Sequence, residues 1–367
     1  MSASRPPERA RGSAVADGPG RDPGPEPAAL AEADLGGYLE RRGLLPRGAT
    51  VTVTAAGDGN INWVRRVRAR DGRSWIVKQA RARLERFPEY QAPTERIACE
   101  ARWLAIASAV DEEGLCPRVH DFDEAGRVLV LEDLGDAERL DRTLARGGPV
   151  ERTVAAVARL LGRVHRATER TGPAERFANE EMRRLHGDHI FHLPLRPNDF
   201  PLPAPLRARA RELWRDRELV GAADRAYARY LESAACLVHA DPQPGNVLLA
   251  ARGPVLLDAE ISHWGDPAFD VGVLLAHVLL AGVMRRERRR AARTAAAIWE
   301  AYDAAAPGAV AFPDAARYAG LEMLRRTIGA ARSPLLEGRD DAAAAALERA
   351  RALVCAPPAD PGEERLA

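Results

Sequence analysis

The 367-residue chain predicts an α+β fold of two lobes, a small β-rich N-terminal lobe and a larger, mostly helical C-terminal lobe. Three observations carry this. Residues 30 to 135 hold runs that alternate apolar and polar side chains around Asp-Gly pairs, the pattern of hairpin strands. From about residue 150 the apolar residues recur at three- and four-residue spacing, the helical period. Within that helical half, "NVLLA" and "PVLLD" are two apolar runs separated by a turn at Gly253 and Pro254.

In chain order, residues 1–28 are rich in Pro, Gly, Arg and Ser with no apolar core, and read as a disordered tail. "ALAEADLGGYLERRGLL" spaces Leu30, Leu35, Tyr38 and Leu39 helically and ends near Gly43. "ATVTVTAAGDGNINWVRRVRARDGRSWIVKQA" supplies three strands, "PTERIACEARWLAIASAV" a helix and "GRVLVLEDLG" a strand with a polar exit. The lobe 29–133 therefore reads β-β-β-α-β. Helical segments fill the lobe 134–355: "VERTVAAVARLLGRVHRATER", "PLRARARELWRDRELVGAADRAYARYLESAA", "DVGVLLAHVLLAGVM", "RRRAARTAAAIWEAYDAA" and "PDAARYAGLEMLRRTIGAARS". The hairpin runs are the only strands expected there, and 356–367 reads as a second tail.

Composition excludes several classes. The 54 basic and 53 acidic residues nearly cancel, which argues against nucleic acid or a membrane surface as partner. The longest apolar run, residues 271 to 284, is short for a membrane span and contains His277, so a buried helix is expected. Cys99, Cys116, Cys236 and Cys355 lack metal-site spacing and suit a reducing cytoplasm. His186, His189 and His192 stand three apart, but no carboxylate or cysteine pattern completes a metal site. His165 and His239 read as structural, and Trp63, Trp75 and Trp103 as packing.

The chemistry gathers around the hairpin. Folded antiparallel, its ends lie about 5 Å apart, which puts Asn246 beside Asp258. An amide oxygen and a carboxylate there suit a hard divalent cation such as Mg2+. Asp241, five residues before Asn246, is placed to accept a proton from a substrate hydroxyl. Upstream, "AAGDGNIN" offers a Gly-containing turn whose backbone can approach phosphates, with Gly57, Asp58, Gly59, Asn60 and Asn62 as nucleotide-binding candidates. Lys78 offers a point charge, and Glu100 on the following helix can hold it. Glu132, Asp133 and Leu134, at the lobe junction, would supply backbone groups to a nucleotide base. Gly turn, strand Lys, helix Glu, junction, H-x-D-x-x-x-x-N and strand-end Asp follow the order of kinase parts. A pseudoenzyme that only binds nucleotide fits less well, because none of Lys78, Asp241, Asn246 and Asp258 is lost. A metal-dependent hydrolase would leave Lys78 and the Gly turn without a task.

The sequence resembles the protein-kinase-like family of small-molecule phosphotransferases, which includes aminoglycoside phosphotransferases and choline kinases. "GDGNINWV", "IVKQA", "LVLEDL", "NEEMRRL", "DAEISHWGDPAFDVG" and "EMLRRTIG" are most similar to segments of the methylthioribose kinases. The resemblance implies a bilobal protein-kinase-like fold, ATP (or GTP) and Mg2+ as cofactors, Asp241 as base, and Asp258 with Glu260 at the metal. It further implies that Gln243, Trp264, Arg325 and Arg326 face a small sugar- or nucleoside-type acceptor, and it leaves a homodimer open. The loop "HADPQPGN" departs from the family's usual His-Gly-Asp-Leu-His, and Asn246 stands where methylthioribose kinases tend to carry Ser. An antibiotic-modifying phosphotransferase is therefore the alternative. Leu321, Leu324 and Ile328 form a helical stripe flanked by Arg325. The two arginines suit hydroxyls or a carboxylate and would repel a polycation, so a neutral or anionic acceptor is expected.

Overall fold

The structure, a computed structural model, describes residues 28–57, 62–83, 91–169, 171–172, 177 and 179–362. The N-terminal lobe is a five-stranded antiparallel sheet in the order β1-β2-β3-β5-β4. Its strands are β1 (Val51–Ala55), β2 (Trp63–Ala69), β3 (Ser74–Gln79), β4 (Val119–Asp123) and β5 (Val128–Glu132). Gly72 turns β2 into β3 with φ of +90°, a conformation open to glycine and strained for other residues. Helix α1 (Leu35–Arg41) covers one face and α2 (Arg96–Ser108) belongs to the other. The period of two makes this double cover possible: Val128 and Val130 pack with Leu35, Leu39 and Trp63, while Leu129 and Leu131 join the core containing Ile97, Trp103 and Leu104.

The C-terminal lobe carries, in order, β6 (Glu138–Arg139), α3 (Leu140–Ala145), α4 (Glu151–Thr168), α5 (Glu180–Gly187), α6 (Ala204–Leu213) and α7 (Arg217–Glu232). Then follow β7 (Cys236–Val238), β8 (Val247–Ala250), β9 (Gly253–Leu256), β10 (His263–Gly265), α8 (Pro267–Arg285), α9 (Arg288–Ala305), α10 (Phe312–Ile328) and α11 (Asp340–Cys355). Helix α8 is long and apolar enough to cross a membrane, but 89% of its most apolar window is buried inside the protein. It is the core helix. Asp266 caps it by accepting from Ala268 N, and Pro267 fills its first turn. Gly272 lets α10 approach closely, because a Cβ there would sit 2.5 Å from Tyr318 Cβ and 2.9 Å from Ala315 O.

Several sequence expectations need correction. Strand β4 adds a sixth element to the N-terminal order, and β6, β7 and β10 join the hairpin strands in the helical lobe. The segment read as one helix over residues 205–235 is two, because Asp216 accepts from Leu219 N and caps a new start. Helix α11 fills much of the stretch before the expected C-terminal tail.

Candidate active site

Strand β7 delivers the loop His239-Ala240-Asp241 to the edge of the helical lobe. Ala240 has φ of +70°, a left-handed conformation that costs about 1–2 kcal/mol for a residue with a Cβ. Asp270 on α8, fully buried, holds the loop there. Its carboxylate accepts from His239 N and Ala240 N, both at 2.8 Å, and lies 3.1 Å from His165 Nε2. Burial opposes its charge, yet the His165 contact and the other polar partners hold its pKa below the usual range. His165 completes this unit through Tyr302 Oη at 2.9 Å.

The hairpin β8–β9 is antiparallel with Val247 opposite Leu256, and Leu257 N donates to Asn246 O at 2.8 Å. Asn246 and Asp258 thus flank one end of the hairpin. Asn246 Nδ2 donates to both Asp241 O and Asp241 Oδ2 at 2.9 Å. Gln243 Nε2 donates to the same Oδ2 at 2.8 Å. The other oxygen, Asp241 Oδ1, is buried without a hydrogen-bond partner and stands 4.0 Å from Arg325 Nη2. Burial pushes the Asp241 carboxyl up to about 6, against the pull of Arg325 and Arg326. One oxygen is anchored and the other is bare, the arrangement a general base requires.

Across the cleft, Lys78 on β3 pairs with Asp258 and, at 2.7 Å, with Glu100 on α2. Burial works against the lysine charge, but Asp258 and Glu100 hold it well above the ordinary range. The Asp258 side chain remains 48% exposed, and its φ of +67° turns the chain out of β9, so side chains no longer alternate. Glu260 consequently reaches a different set of partners. Its Oε2 accepts from Asn62 Nδ2 at 2.6 Å and lies 3.3 Å from Arg96 Nε, while Arg96 Nη2 donates to Asn62 Oδ1 at 2.8 Å. Glu260 thus joins the two lobes, with Arg96 fully buried between them.

The remaining expected residues divide. Gly57 follows β1 with φ of +69°, whereas Asp58, Gly59 and Asn60 lie outside the described residues. Asp133 accepts from Arg66 and Gly135 N, and Glu132 from Arg118 N and Arg252, so both side chains brace the lobe junction beside half-buried Leu134. Trp264 turns inward: it is 6% exposed and packs on Phe177 with ring centroids 5.4 Å apart. Arg325 and Arg326, in the last turn of α10, do lie beside Asp241. Arg326 Nη2 donates to Gln243 Oε1 at 2.6 Å, so Gln243 relays between Arg326 and Asp241.

Sequence reasoning missed Asp270, Arg96 and Glu322. Each is a charged residue inside an apolar helical run, in "AFDVGVLL", "ERIACEA" and "GLEMLRR". A buried charge is costly unless paired, and that is the signal such positions carry.

The divalent cation that a kinase implies fits the residues present. Asp258 and Asn246 offer a half-exposed carboxylate and an amide oxygen, hard ligands. Among the described residues no group of three or more His, Cys, Asp or Glu forms a metal cage. Two protein ligands with the rest from phosphates and water is the usual arrangement for magnesium.

The sequence profile of the phosphotransferase enzyme family (APH) matches residues 52–313. The chain is 26% identical over 345 residues to a methylthioribose kinase of Bacillus velezensis, covering 82% of this chain and 84% of the relative. With the methylthioribose kinase of Geobacillus kaustophilus the identity is 28% over 360 residues, covering 86% and 87%. Among solved structures, choline kinase LicA from Streptococcus pneumoniae shares the fold with a TM-score of 0.51 at 18% identity, over 88% of this chain and 98% of that one. A choline/ethanolamine kinase family protein from Mesorhizobium loti gives 0.50 at 18% identity, over 87% and 98%. A small antiparallel lobe set on a helical lobe, with a profile match across most of the chain, places this protein in the APH phosphotransferase family as a small-molecule kinase.

Proposed function

We propose that the protein transfers the γ-phosphate of ATP to a hydroxyl of a small sugar-containing acceptor, a methylthioribose-like pentose or a ribosyl group. The bare, buried Oδ1 of Asp241, with Arg325 beside it and Arg326 linked through Gln243, is the observation that carries the reading. Asp241 Oδ1 takes the hydroxyl proton as the acceptor oxygen bonds to the γ-phosphorus and the bond to the ADP oxygen breaks. Asn246 and Gln243 keep the carboxylate oriented. Lys78, held by Glu100, supplies positive charge to the phosphates, and Asp258 with Asn246 would hold Mg2+, which neutralises phosphate charge when bound. Glu260 serves this reading by fixing Asn62, at the exit of the Gly turn, and not by ligating the cation.

The relatives named methylthioribose kinase support a pentose acceptor. Both carboxylates of the cluster, Glu322 and Asp241, are already matched by the arginine pair, which leaves little negative charge to attract the alternative of a polycationic aminoglycoside. A coupled nucleotide-turnover screen with methylthioribose, ribosylated nucleosides and aminoglycosides tests the proposal. Turnover is expected with a neutral pentose or ribosyl acceptor and magnesium. Turnover confined to aminoglycosides overturns it.

A further inference from the structure

Glu322 lies three and four residues before the arginine pair on α10, so its carboxylate shares their face. Its Oε2 accepts from Arg325 Nε at 2.6 Å, and its Oε1 accepts from Arg325 Nη2 at 2.8 Å and Arg326 Nε at 2.7 Å. The residue is fully buried. Although burial opposes its charge, the two guanidinium groups hold its carboxyl well below the ordinary range, so it is ionised at neutral pH. The second carboxylate of the cluster is Asp241, 4.0 Å from Arg325 and joined to Arg326 through Gln243. His277 Nε2, 3.4 Å from Glu322 Oε1, is kept neutral at pH 7 because burial lowers its pKa.

Two cations therefore meet two anions. The Arg325 guanidinium spends Nε and Nη2 on Glu322, and Arg326 spends Nε on Glu322, Nη2 on Gln243 and one Nη1 hydrogen on Ala331 O at 3.5 Å. Each group has five N–H donors in a fixed fork, so donors remain on both after these bonds. A carboxylate clamped to the back of an arginine pair leaves its hydrogen-bonding capacity and removes most of its excess charge.

We propose that Glu322 is a positioning residue that aims Arg325 and Arg326 at acceptor hydroxyls while cancelling their attraction for anions, so that the site selects a neutral polyol over a sugar acid. This rests on the reading that the acceptor lies against Asp241.

Glu322→Gln keeps the shape and removes the charge. The KM for methylthioribose is expected to rise by about tenfold as the arginines lose their anchor, with a smaller fall in kcat and unchanged nucleotide affinity. D-ribonate, a pentose carrying a carboxylate, should bind the variant on the order of tenfold or more tighter than the parent by calorimetry, since one nearby charge is uncovered. Glu322→Asp, which restores the charge, should return D-ribonate binding toward the parent value. A purely structural Glu322 would change stability without changing the preference between neutral and anionic pentoses. Equal D-ribonate affinity in parent and Glu322→Gln overturns the proposal. If that variant does not fold, Arg326→Gln makes the opposite change, and D-glucosamine must then bind more tightly than to the parent; no gain overturns the proposal as well. A parent enzyme that turns over no neutral sugar, with the D-ribonate gain still present, removes the acceptor reading and leaves the charge role of Glu322 standing.

Discussion

Replacing Asp241 by Asn should abolish turnover and at the same time stabilise the free protein. The carboxylate is only 15% exposed, and burial raises its pKa from 3.8 to about 6 even with two arginines nearby. Ionising it in the folded state is therefore harder than in the unfolded chain. The difference corresponds to roughly 2–3 kcal/mol, and to about 2 kcal/mol once partial solvent access is allowed for.

The sign follows from proton counts. Well below the unfolded pKa of 3.8 both states are protonated and the group adds no cost. Between about pH 4 and 6 the unfolded chain loses its proton first, so stability falls as pH rises. Above pH 6 the full cost is present. Asn removes it, and its amide oxygen can still accept from Asn246 or Gln243. Urea unfolding of the protein without magnesium or nucleotide should show Asp241→Asn more stable by about 2 kcal/mol at pH 8, with the gain shrinking as pH falls through 6 and lost only well below the unfolded pKa of 3.8. Turnover should fall by on the order of a hundred- to ten-thousandfold. A variant less stable at pH 8 would mean that Oδ1 has a structural partner. Near-normal turnover would remove Asp241 from the chemistry.

Three further substitutions test the surrounding frame. Asp270→Asn places an amide donor against groups that already donate, leaving a buried N–H of His239 or Ala240 unsatisfied; a loss of about 1–3 kcal/mol, with faster amide exchange at both residues, is expected in denaturant titration and hydrogen-exchange measurements. Asp258→Ala should eliminate the gain in nucleotide affinity that magnesium confers, and an unchanged gain in calorimetry would assign the metal elsewhere. Arg96→Met strips Glu260 and Asn62 of their shared partner and should destabilise by about 3–5 kcal/mol. Adding Glu260→Gln should recover part of that loss in a double-mutant cycle, and strict additivity would show that the contact is energetically silent.

Much of this arrangement was legible in the sequence because it depends on local rules. The turn signal at Gly253 and Pro254 locates the hairpin, although the turn itself is Ala251-Arg252 and both signal residues open β9; the hairpin brings Asn246 and Asp258 to one end whatever surrounds it. The unbroken apolar run in "VLVLE" likewise marks β5 as a strand, buried on both faces in the structure. Elements held by tertiary context were not legible. The strand Val119–Asp123 reads "VHDFD" and pairs along one edge only, where half-exposed polar residues are tolerated and no apolar alternation is needed. Strands β7 and β10 are three residues long, too short for a period to show. Helix α11, "DDAAAAALERARALVC", is so rich in alanine that its two faces hardly differ in apolar character. At the candidate site, Asp241, Asn246 and Asp258 follow a motif, whereas the residues that brace the site are single charges whose partners lie far along the chain, as Asp270 is from His165 and Glu260 from Asn62.

His239 shows how such orientation is transmitted. Burial lowers its pKa to about 4, so at neutral pH the ring is uncharged and one nitrogen must donate while the other accepts. The partners decide which. Asp241 N donates to Nδ1 at 3.3 Å, and Nε2 lies 3.2 Å from Leu257 O, a carbonyl that can only accept. The proton is therefore on Nε2. This tautomer ties the backbone of Asp241 to the residue before Asp258, so the loop bearing Asp241 and the loop bearing Asp258 share one rigid ring. Both loops contain a residue with positive φ, Ala240 and Asp258, and neither is a glycine. Strain of this kind persists only where neighbouring contacts over-determine the backbone. Asp270 does so for Ala240, and the His239 contact to Leu257 does so next to Asp258. Protonating the ring would place a donor against Asp241 N–H and break the link, which is why a histidine between these loops has to be buried and neutral to keep Asp241 and Asp258 in register.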